Sequence, residues 1–177
     1  MNLERYFPNH TTDQAVAAMK HYAVSQYTDP KIQKLAQDIT IGINPNDQVS
    51  QMLAILHWIM VELKYVSDEE ESNRLFGTNG DLEMVKSPKA VLESGRYDCD
   101  CGSTLIAALL MSLGIRARFV TVGFASYEET GPDGFEHVYA QGWDEKSRQW
   151  IIVDPVSYPN EQQMSLDTKQ VKFYDIA

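Results

Sequence analysis

The chain has 177 residues, of which 44% are hydrophobic, and this is enough for one compact domain with a substantial core. Its formal net charge of −10 argues against a nucleic-acid partner, since a phosphate backbone requires a basic surface. No stretch approaches the roughly eighteen apolar residues of a membrane-spanning helix, and the first residues lack the apolar core of a signal peptide. We therefore expect a single domain over residues 1–177, made in the cytoplasm.

Helical patterns dominate the first part of the chain. Residues 13–27 place Val16, Met19 and Ala23 at i, i+3 and i+7, which predicts a first helix. The pair Asp29-Pro30 joins a capping residue to a proline at the first helical position and so predicts the start of a second helix.

A third helix is predicted over about residues 47–64, where apolar residues keep the helical period for four turns. Its inward face is expected to carry Val49, Met52, Leu53, Leu56, Ile59, Met60 and Leu63. His57 is interpreted as a packed or half-exposed helix residue, and a role as catalytic base is the less favoured alternative. We interpret Trp58 and Tyr65 as part of the scaffold.

The segment that follows has the least regular pattern in the chain. The run Asp68-Glu69-Glu70-Glu71 could hold a divalent cation, but consecutive acids usually project into water, and we expect no metal there. Gly77, Asn79 and Gly80 predict a flexible connection, which we expect to border the cleft of a functional site. A short helix is then predicted from Ser87-Pro88 onward.

Cys99 lies at the start of the most strongly apolar helical pattern. The buried stripe of this helix is expected to comprise Leu105, Ile106, Leu109, Leu110 and Leu113. Gly114 follows where a left-handed C-cap would lie, and residues 116–124 predict a strand. Because the free N–H groups and the dipole of a helix start stabilise a thiolate, Cys99 is a candidate nucleophile. The alternative is an ordinary free cysteine of the core.

Two later strands supply the other groups that a thiol catalyst needs. His137 lies in the predicted strand 135–140, and Asp154 ends the predicted strand 149–153. A loop over residues 128–134, expected to overhang the site, precedes the first of these strands. Together Cys99, His137 and Asp154 provide a nucleophile, a general base and a group that orients the imidazole. Residues 169–174 predict a further edge strand.

These residues resemble a known family. Cys99-Asp100, the run LIAALLMSLGIRAR, the strand FEHVYA and the strand WIIVDP are similar to the transglutaminase-like superfamily, and within it to the compact proteins of bacteriophages and prophages. Counted back from Gly114, the family's nucleophile falls on Cys99, its histidine on His137 and its aspartate on Asp154. Such proteins often have a second acidic residue where this chain has Cys101.

The resemblance implies an α+β fold with a papain-like core. Residues 1–66 are expected to form a helical N-terminal part, and residues 87–155 a catalytic core in which the nucleophile helix packs on an antiparallel sheet of three to five strands. No cofactor is expected.

The resemblance also implies acyl transfer through a thioester. We expect hydrolysis of a peptide or amide bond, as in a cysteine peptidase or amidase, with a peptide or protein as substrate. A transglutaminase-type cross-linker is an alternative, and so is a non-catalytic structural or adaptor protein of a phage particle. Phage structural proteins are then the expected partners, in the cytoplasm of a bacterial host or in association with the virion.

The surroundings of Cys99 define the remaining expectations. A disulfide to Cys101 would be strained, so we expect reduced thiols, and a metal held by both cysteines and His137 lacks the usual ligand pattern. Asp98 and Asp100 oppose a thiolate, so His137 should supply most of its activation. The backbone N–H of Cys99 is one expected oxyanion donor, and the sequence identifies no second one.

Overall fold

The structure is a computed structural model that describes residues 4–7, 11–77, 83–124, 134–156 and 168–176. Within these ranges the helices are α1 (Thr12–Gln26), α2 (Pro30–Ile39), α3 (Gln48–Glu62), α4 (Asp68–Phe76), α5 (Pro88–Ser94) and α6 (Cys99–Ser112). The strands are β1 (Glu4–Phe7), β2 (Lys64–Tyr65), β3 (Glu83–Lys86), β4 (Arg96–Tyr97), β5 (Ala117–Gly123), β6 (His137–Asp144), β7 (Gln149–Val153) and β8 (Gln170–Asp175). The expected α+β fold is confirmed.

The largest sheet has four antiparallel strands in the order β7-β6-β5-β8. A tight turn joins β6 to β7, and the predicted C-terminal strand lies at the edge beside β5. Two smaller pairs complete the described strands: β1 with β3, antiparallel, and β2 with β4, parallel. The antiparallel sheet of the prediction is therefore confirmed.

The helical layer covers one face of this sheet, and α6 lies at its centre. Leu105, Ile106, Leu109 and Leu110 are completely buried between α1, α2, α3 and the sheet residues Phe119 and Ala140. Burial of each such side chain contributes about 1.5–3 kcal/mol, which makes α6 the main apolar element of the core. None of the described helices combines the length and the apolar composition needed to cross a bilayer.

The predicted helix ends are confirmed by their caps. Thr11 and Gln14 form a capping box at α1, and Asp29 accepts a hydrogen bond from the backbone of Lys31 at α2. Gly114 has a φ of 77° and follows the end of α6 in the left-handed conformation that glycine adopts without strain.

The inward face of α3 differs from its prediction. Leu53 and Met60 are 49% and 39% exposed, whereas Ile55 and Gln51 are buried. Residues 53, 57 and 60 share one side of the helix, because they are spaced by four and three positions, and that side faces away from the core. His57 is therefore exposed rather than packed or half-exposed.

The expectation that the acidic run projects into water is wrong for one of its members. The run forms the first turn of α4 behind the N-cap Ser67. Glu71 is only 3% exposed, because successive helical residues point in directions about 100° apart and one of the four acids must face inward. Its carboxylate accepts hydrogen bonds from Arg74 at 2.8 Å, Lys86 at 3.1 Å and Arg96 at 3.3 Å.

The glycine-rich connection after α4 is described only in part. Gly77 ends α4 in the left-handed conformation, with a φ of 65°. Asn79, Gly80 and residues 128–133 of the expected overhanging loop lie outside the described residues.

Replacement of Glu71 tests how much this buried ion cluster stabilises the fold. The hydrogen bond from Arg74, assisted by the ammonium of Lys86, lowers the pKa of Glu71 from 4.5 to about 2. Since the folded-state pKa is the lower one, the stabilisation is complete above about pH 4.5 and is lost as the pH falls towards 2. We expect Glu71→Gln to reduce the free energy of unfolding by about 2–4 kcal/mol near neutral pH.

Urea unfolding at a series of pH values measures this difference. The difference in the free energy of unfolding between wild type and Glu71→Gln should shrink steadily below pH 4.5. Glu70→Gln, one position earlier on the same helix, should leave the free energy of unfolding nearly unchanged. A difference between wild type and Glu71→Gln that is the same at neutral and at acidic pH would contradict the assignment.

Candidate active site

The start of α6 presents Cys99 at a cleft. Cys99 is the first residue of the helix and is partly buried, while the residues after it are buried. The N-cap Asp98 accepts a hydrogen bond from the backbone N–H of Cys101 at 3.0 Å, and Asp100 accepts from the same N–H at 2.6 Å. Two carboxylates thus hold the helix start, and the thiol lies where the backbone N–H groups point out of the helix.

A neighbouring pair of short strands lies against the start of α6. β2 pairs in parallel with β4, which sets Tyr65 beside Tyr97, two residues before Cys99. The ring of Tyr97 packs directly on Gly102, since a Cβ atom at that position would lie 2.6 Å from the ring. Glycine at position 102 therefore allows the strand pair to lie against the first turn of α6.

His137 and Asp154 meet at one end of the sheet. His137 begins β6 and Asp154 follows β7, and because the two strands are antiparallel these positions are adjacent. The Nε2 atom of His137 lies 2.7 Å from Oδ2 of Asp154, and Asp154 is 1% exposed. The second carboxylate oxygen accepts from the backbone N–H of Val156 at 3.0 Å. With Nε2 held by Asp154, Nδ1 is the imidazole nitrogen left to exchange a proton.

Cys99 and His137 line the same open cleft, whose enclosed part has a volume of about 90 Å³. One wall comes from α1 and the other from the end of the sheet. The remaining lining residues are Thr12, Ala15, Val16, Met19, Asp100, Thr121, Phe135, Glu136 and Val138. The structure therefore brings the three predicted site residues together, two in the cleft and Asp154 behind His137.

Cys101 has different surroundings from Cys99. It is completely buried, it donates a hydrogen bond to the carbonyl of Met84, and it accepts one from the backbone N–H of Lys86, each at 3.2 Å. Burial, together with the nearby charges of Asp100 and Asp98, raises the pKa of the Cys101 thiol well above its ordinary value. Neither cysteine forms a disulfide, and Cys101 is an internal hydrogen-bonding group.

Carboxyl groups cluster around the first turn of α6, next to Cys99. Burial alone would raise the pKa of Asp98, but hydrogen bonds with Asp100, Asp68 and Cys101 lower it below its ordinary value. Ligand atoms of Asp98, Asp100 and Cys101 lie within 4.8 Å of one another, a spacing that suits a cation. All three already bind protein groups, and we assign the cluster to holding the start of α6.

Tyr65, which the sequence analysis assigned to the scaffold, lies beside Tyr97, two residues before Cys99. Burial, followed by electrostatic interactions with Cys99 and Asp98, raises the pKa of Tyr65 to about 12. The side chain is 45% exposed, and its ring contacts that of Tyr97 edge-on at 5.7 Å. The parallel pairing of β2 with β4 creates this proximity, and no local sequence pattern signals a pairing of two residues per strand.

The comparisons with known proteins agree with this geometry. The family model described as the transglutaminase-like superfamily matches residues 33–155. Among curated protein sequences, none matches the chain.

Two solved structures share the fold. One is a candidate cysteine protease from Cytophaga hutchinsonii, with 20% identity and a TM-score of 0.57, and the match covers 94% of this chain and 53% of that one. The other is a candidate protease from Parabacteroides distasonis, with 14% identity and a TM-score of 0.52, and the match covers 83% and 27%. The chain thus spans about half the length of the first and about a quarter of the second.

Proposed function

Since the chain belongs to the transglutaminase-like superfamily, we propose that it catalyses thiol-dependent acyl transfer through a thioester, with hydrolysis of a peptide or amide bond as the net reaction. The observation that carries this proposal is the pairing of His137 with Asp154 at 2.7 Å in the cleft that also contains Cys99. The arrangement supplies a nucleophile, a base and an orienting carboxylate in one place.

The first half of the reaction forms the thioester. Nδ1 of His137 takes the proton of the Cys99 thiol, while Asp154 holds Nε2 and stabilises the imidazolium. The sulfur attacks the amide carbonyl carbon, so a C–S bond forms and the carbonyl oxygen becomes an oxyanion. When the oxyanion collapses, the C–N bond breaks and His137 returns its proton to the leaving amine.

The second half releases the acid. His137 takes a proton from water, and the oxygen attacks the thioester carbonyl. A C–O bond forms, the C–S bond breaks, and the proton on His137 returns to the sulfur. Asp154 keeps its hydrogen bond to the imidazole throughout, so the ring does not need to turn between the two halves.

Two donors are assigned to the oxyanion. The backbone N–H of Cys99 lies at the start of α6, where the N–H groups point out of the first turn of the helix. The hydroxyl of Tyr65, whose ring contacts that of Tyr97 two residues before Cys99, is the second donor in this proposal. Because the pKa of Tyr65 is raised to about 12, the hydroxyl keeps its proton at neutral pH and can donate it in a hydrogen bond.

Water is the acceptor of the acyl group that best suits the cleft. The enclosed part of the cleft has a volume of about 90 Å³, which is smaller than a typical ligand pocket and leaves room for one small group of a substrate. An amine acceptor would need a second binding site, whereas water needs none. Transfer to an amine shares every step up to the thioester and is the alternative outcome. A virion protein or a cell-wall peptide as the target follows from the phage resemblance of the sequence alone.

A non-catalytic adaptor role is the second candidate. The observation that favours it is the exposure of Val171 and Phe173, 50% and 52%, on the edge strand β8, since exposed apolar residues often mark a binding surface. The adaptor role requires neither the thiol nor the imidazole, so the experiment below separates it from catalysis.

Peptide turnover tests the proposal. The protein is incubated with a mixture of unmodified peptides and a fluorescent primary amine, and mass spectrometry detects new carboxyl termini or amine adducts. We expect hydrolysis by the wild type, none by Cys99→Ala, and nearly unchanged hydrolysis by Cys101→Ser, because Cys101 is only an internal hydrogen-bonding group. Amine adducts without new termini would favour the cross-linker, and equal results for wild type and Cys99→Ala would favour the adaptor.

Tyr65→Phe tests the second oxyanion donor. Removal of one such donor should reduce kcat by about 10–1,000-fold. Alkylation of Cys99 by iodoacetamide forms no oxyanion, so its rate should stay close to that of the wild type. Tyr27→Phe, which removes a hydroxyl from the helical layer, serves as the matched control. If the kcat of Tyr65→Phe equals that of the control, the hydroxyl is not the donor.

A further inference from the structure

We propose that the cleft selects substrates that carry a positive charge on a short apolar group beside the scissile bond, and that Glu136 is the carboxylate that makes this selection. The inference rests on the proposed function, since it describes the substrate of the same site. It assigns a specificity role to residues that the three-residue catalytic arrangement leaves unused.

Three of the four α1 residues that line the cleft are apolar, and the fourth is Thr12. Ala15, Val16 and Met19 line the same cleft as Cys99 and His137, and each is less than 7% exposed. Phe135 and Val138 continue this apolar lining on the sheet side. Because these side chains cannot hydrogen-bond, the inner part of the cleft suits a hydrocarbon group of about one amino-acid side chain.

The charge in the cleft is negative. Among the described residues that line it, Asp100 and Glu136 are the acids, and neither lysine nor arginine occurs there. Asp100 belongs to the carboxyl cluster that also contains the ionised Asp98. Lys86 is a buried cation near this cluster, and it is bound to Glu71 at 3.1 Å. The negative charge of the cleft therefore attracts a cationic substrate to its mouth and repels an anionic one.

Glu136 is held in place by the backbone. Its N–H donates to the carbonyl of Val122 at 2.9 Å, and its Oε2 accepts from the N–H of Phe124 at 2.9 Å. The carboxylate is thus fixed at the end of β5, next to His137 in sequence and exposed to solvent. A charge that is already ordered loses little entropy when a ligand binds, which favours a role in selection.

Charged thiol reagents test the inference without any turnover. Two methanethiosulfonates of similar size are used, one with a trimethylammonium-ethyl group and one with a sulfonate-ethyl group, and peptide mapping reports the modification of Cys99. The measured quantity is the ratio of the cationic to the anionic rate constant, divided by the same ratio for free 2-mercaptoethanol. This division removes the intrinsic reactivity of the reagents.

We expect a corrected ratio well above one in the wild type and a decrease of roughly fivefold in Glu136→Gln, as for a charge that lines the same partly solvated cleft as the thiol. The amide keeps an acceptor for the Phe124 N–H, so the variant removes charge without removing the hydrogen bond. Glu136→Lys should reduce the ratio further. Glu145→Gln, which removes the same charge from the turn between β6 and β7, should leave it unchanged.

Loss of Glu136 also changes the field at His137, and hence the reactivity of the thiol toward every reagent. The neutral methyl methanethiosulfonate reports that common change, and a ratio of two reagents cancels it. A wild-type ratio near one, or a ratio that Glu136→Gln does not lower, would overturn the inference.

This outcome is separate from that of the proposed function. Hydrolysis without a charge preference would leave the catalytic proposal intact and refute the selection. A charge preference without hydrolysis or amine transfer would support the cation-selective cleft and refute the proposed catalytic activity.

Discussion

The burial of α6 is the constraint on which the rest of the structure depends. Residues 100–110 are all buried, so the helix starts inside the protein and its first N–H groups need partners there. Asp98 and Asp100 both accept a hydrogen bond from the N–H of Cys101, and Cys99 is the residue at which the buried helix meets the cleft. The apolar packing that stabilises the core therefore also fixes the position of the thiol, and the site is as rigid as the core around it.

The antiparallel sheet completes the site by topology alone. The start of β6 and the end of β7 must lie at one end of a hairpin, and His137 and Asp154 occupy these two positions. The acids that hold α6 carry an electrostatic cost, since Asp98 and Asp100 disfavour a negative sulfur. An imidazolium on His137 offsets this cost during the reaction, and the same negative field gives the cleft its proposed preference for cations.

Much of this arrangement follows from local sequence patterns. The helix of Cys99, its C-cap at Gly114 and the strands of His137 and Asp154 could be predicted because periodicity and turn residues act over a few positions. The place of Tyr65 could not be predicted, since it depends on the parallel pairing of β2 with β4 across 32 positions of the chain. Glu71 was misjudged because composition does not reveal which acid of a helical turn faces inward. The apolar wall from α1 joins residues about 80 positions from Cys99, beyond the reach of any local pattern.

The central claim is that Cys99, activated by His137, forms an acyl thioester. The most direct measurement is intact-mass analysis after brief exposure to p-nitrophenyl acetate, with peptide mapping of the acetyl group. The account predicts one acetyl group on Cys99, a burst of nitrophenolate equal to the enzyme concentration, no adduct in Cys99→Ala and a much slower burst in His137→Ala. An acetyl group on Cys101 or on lysines alone, or a burst that His137→Ala does not slow, would contradict it.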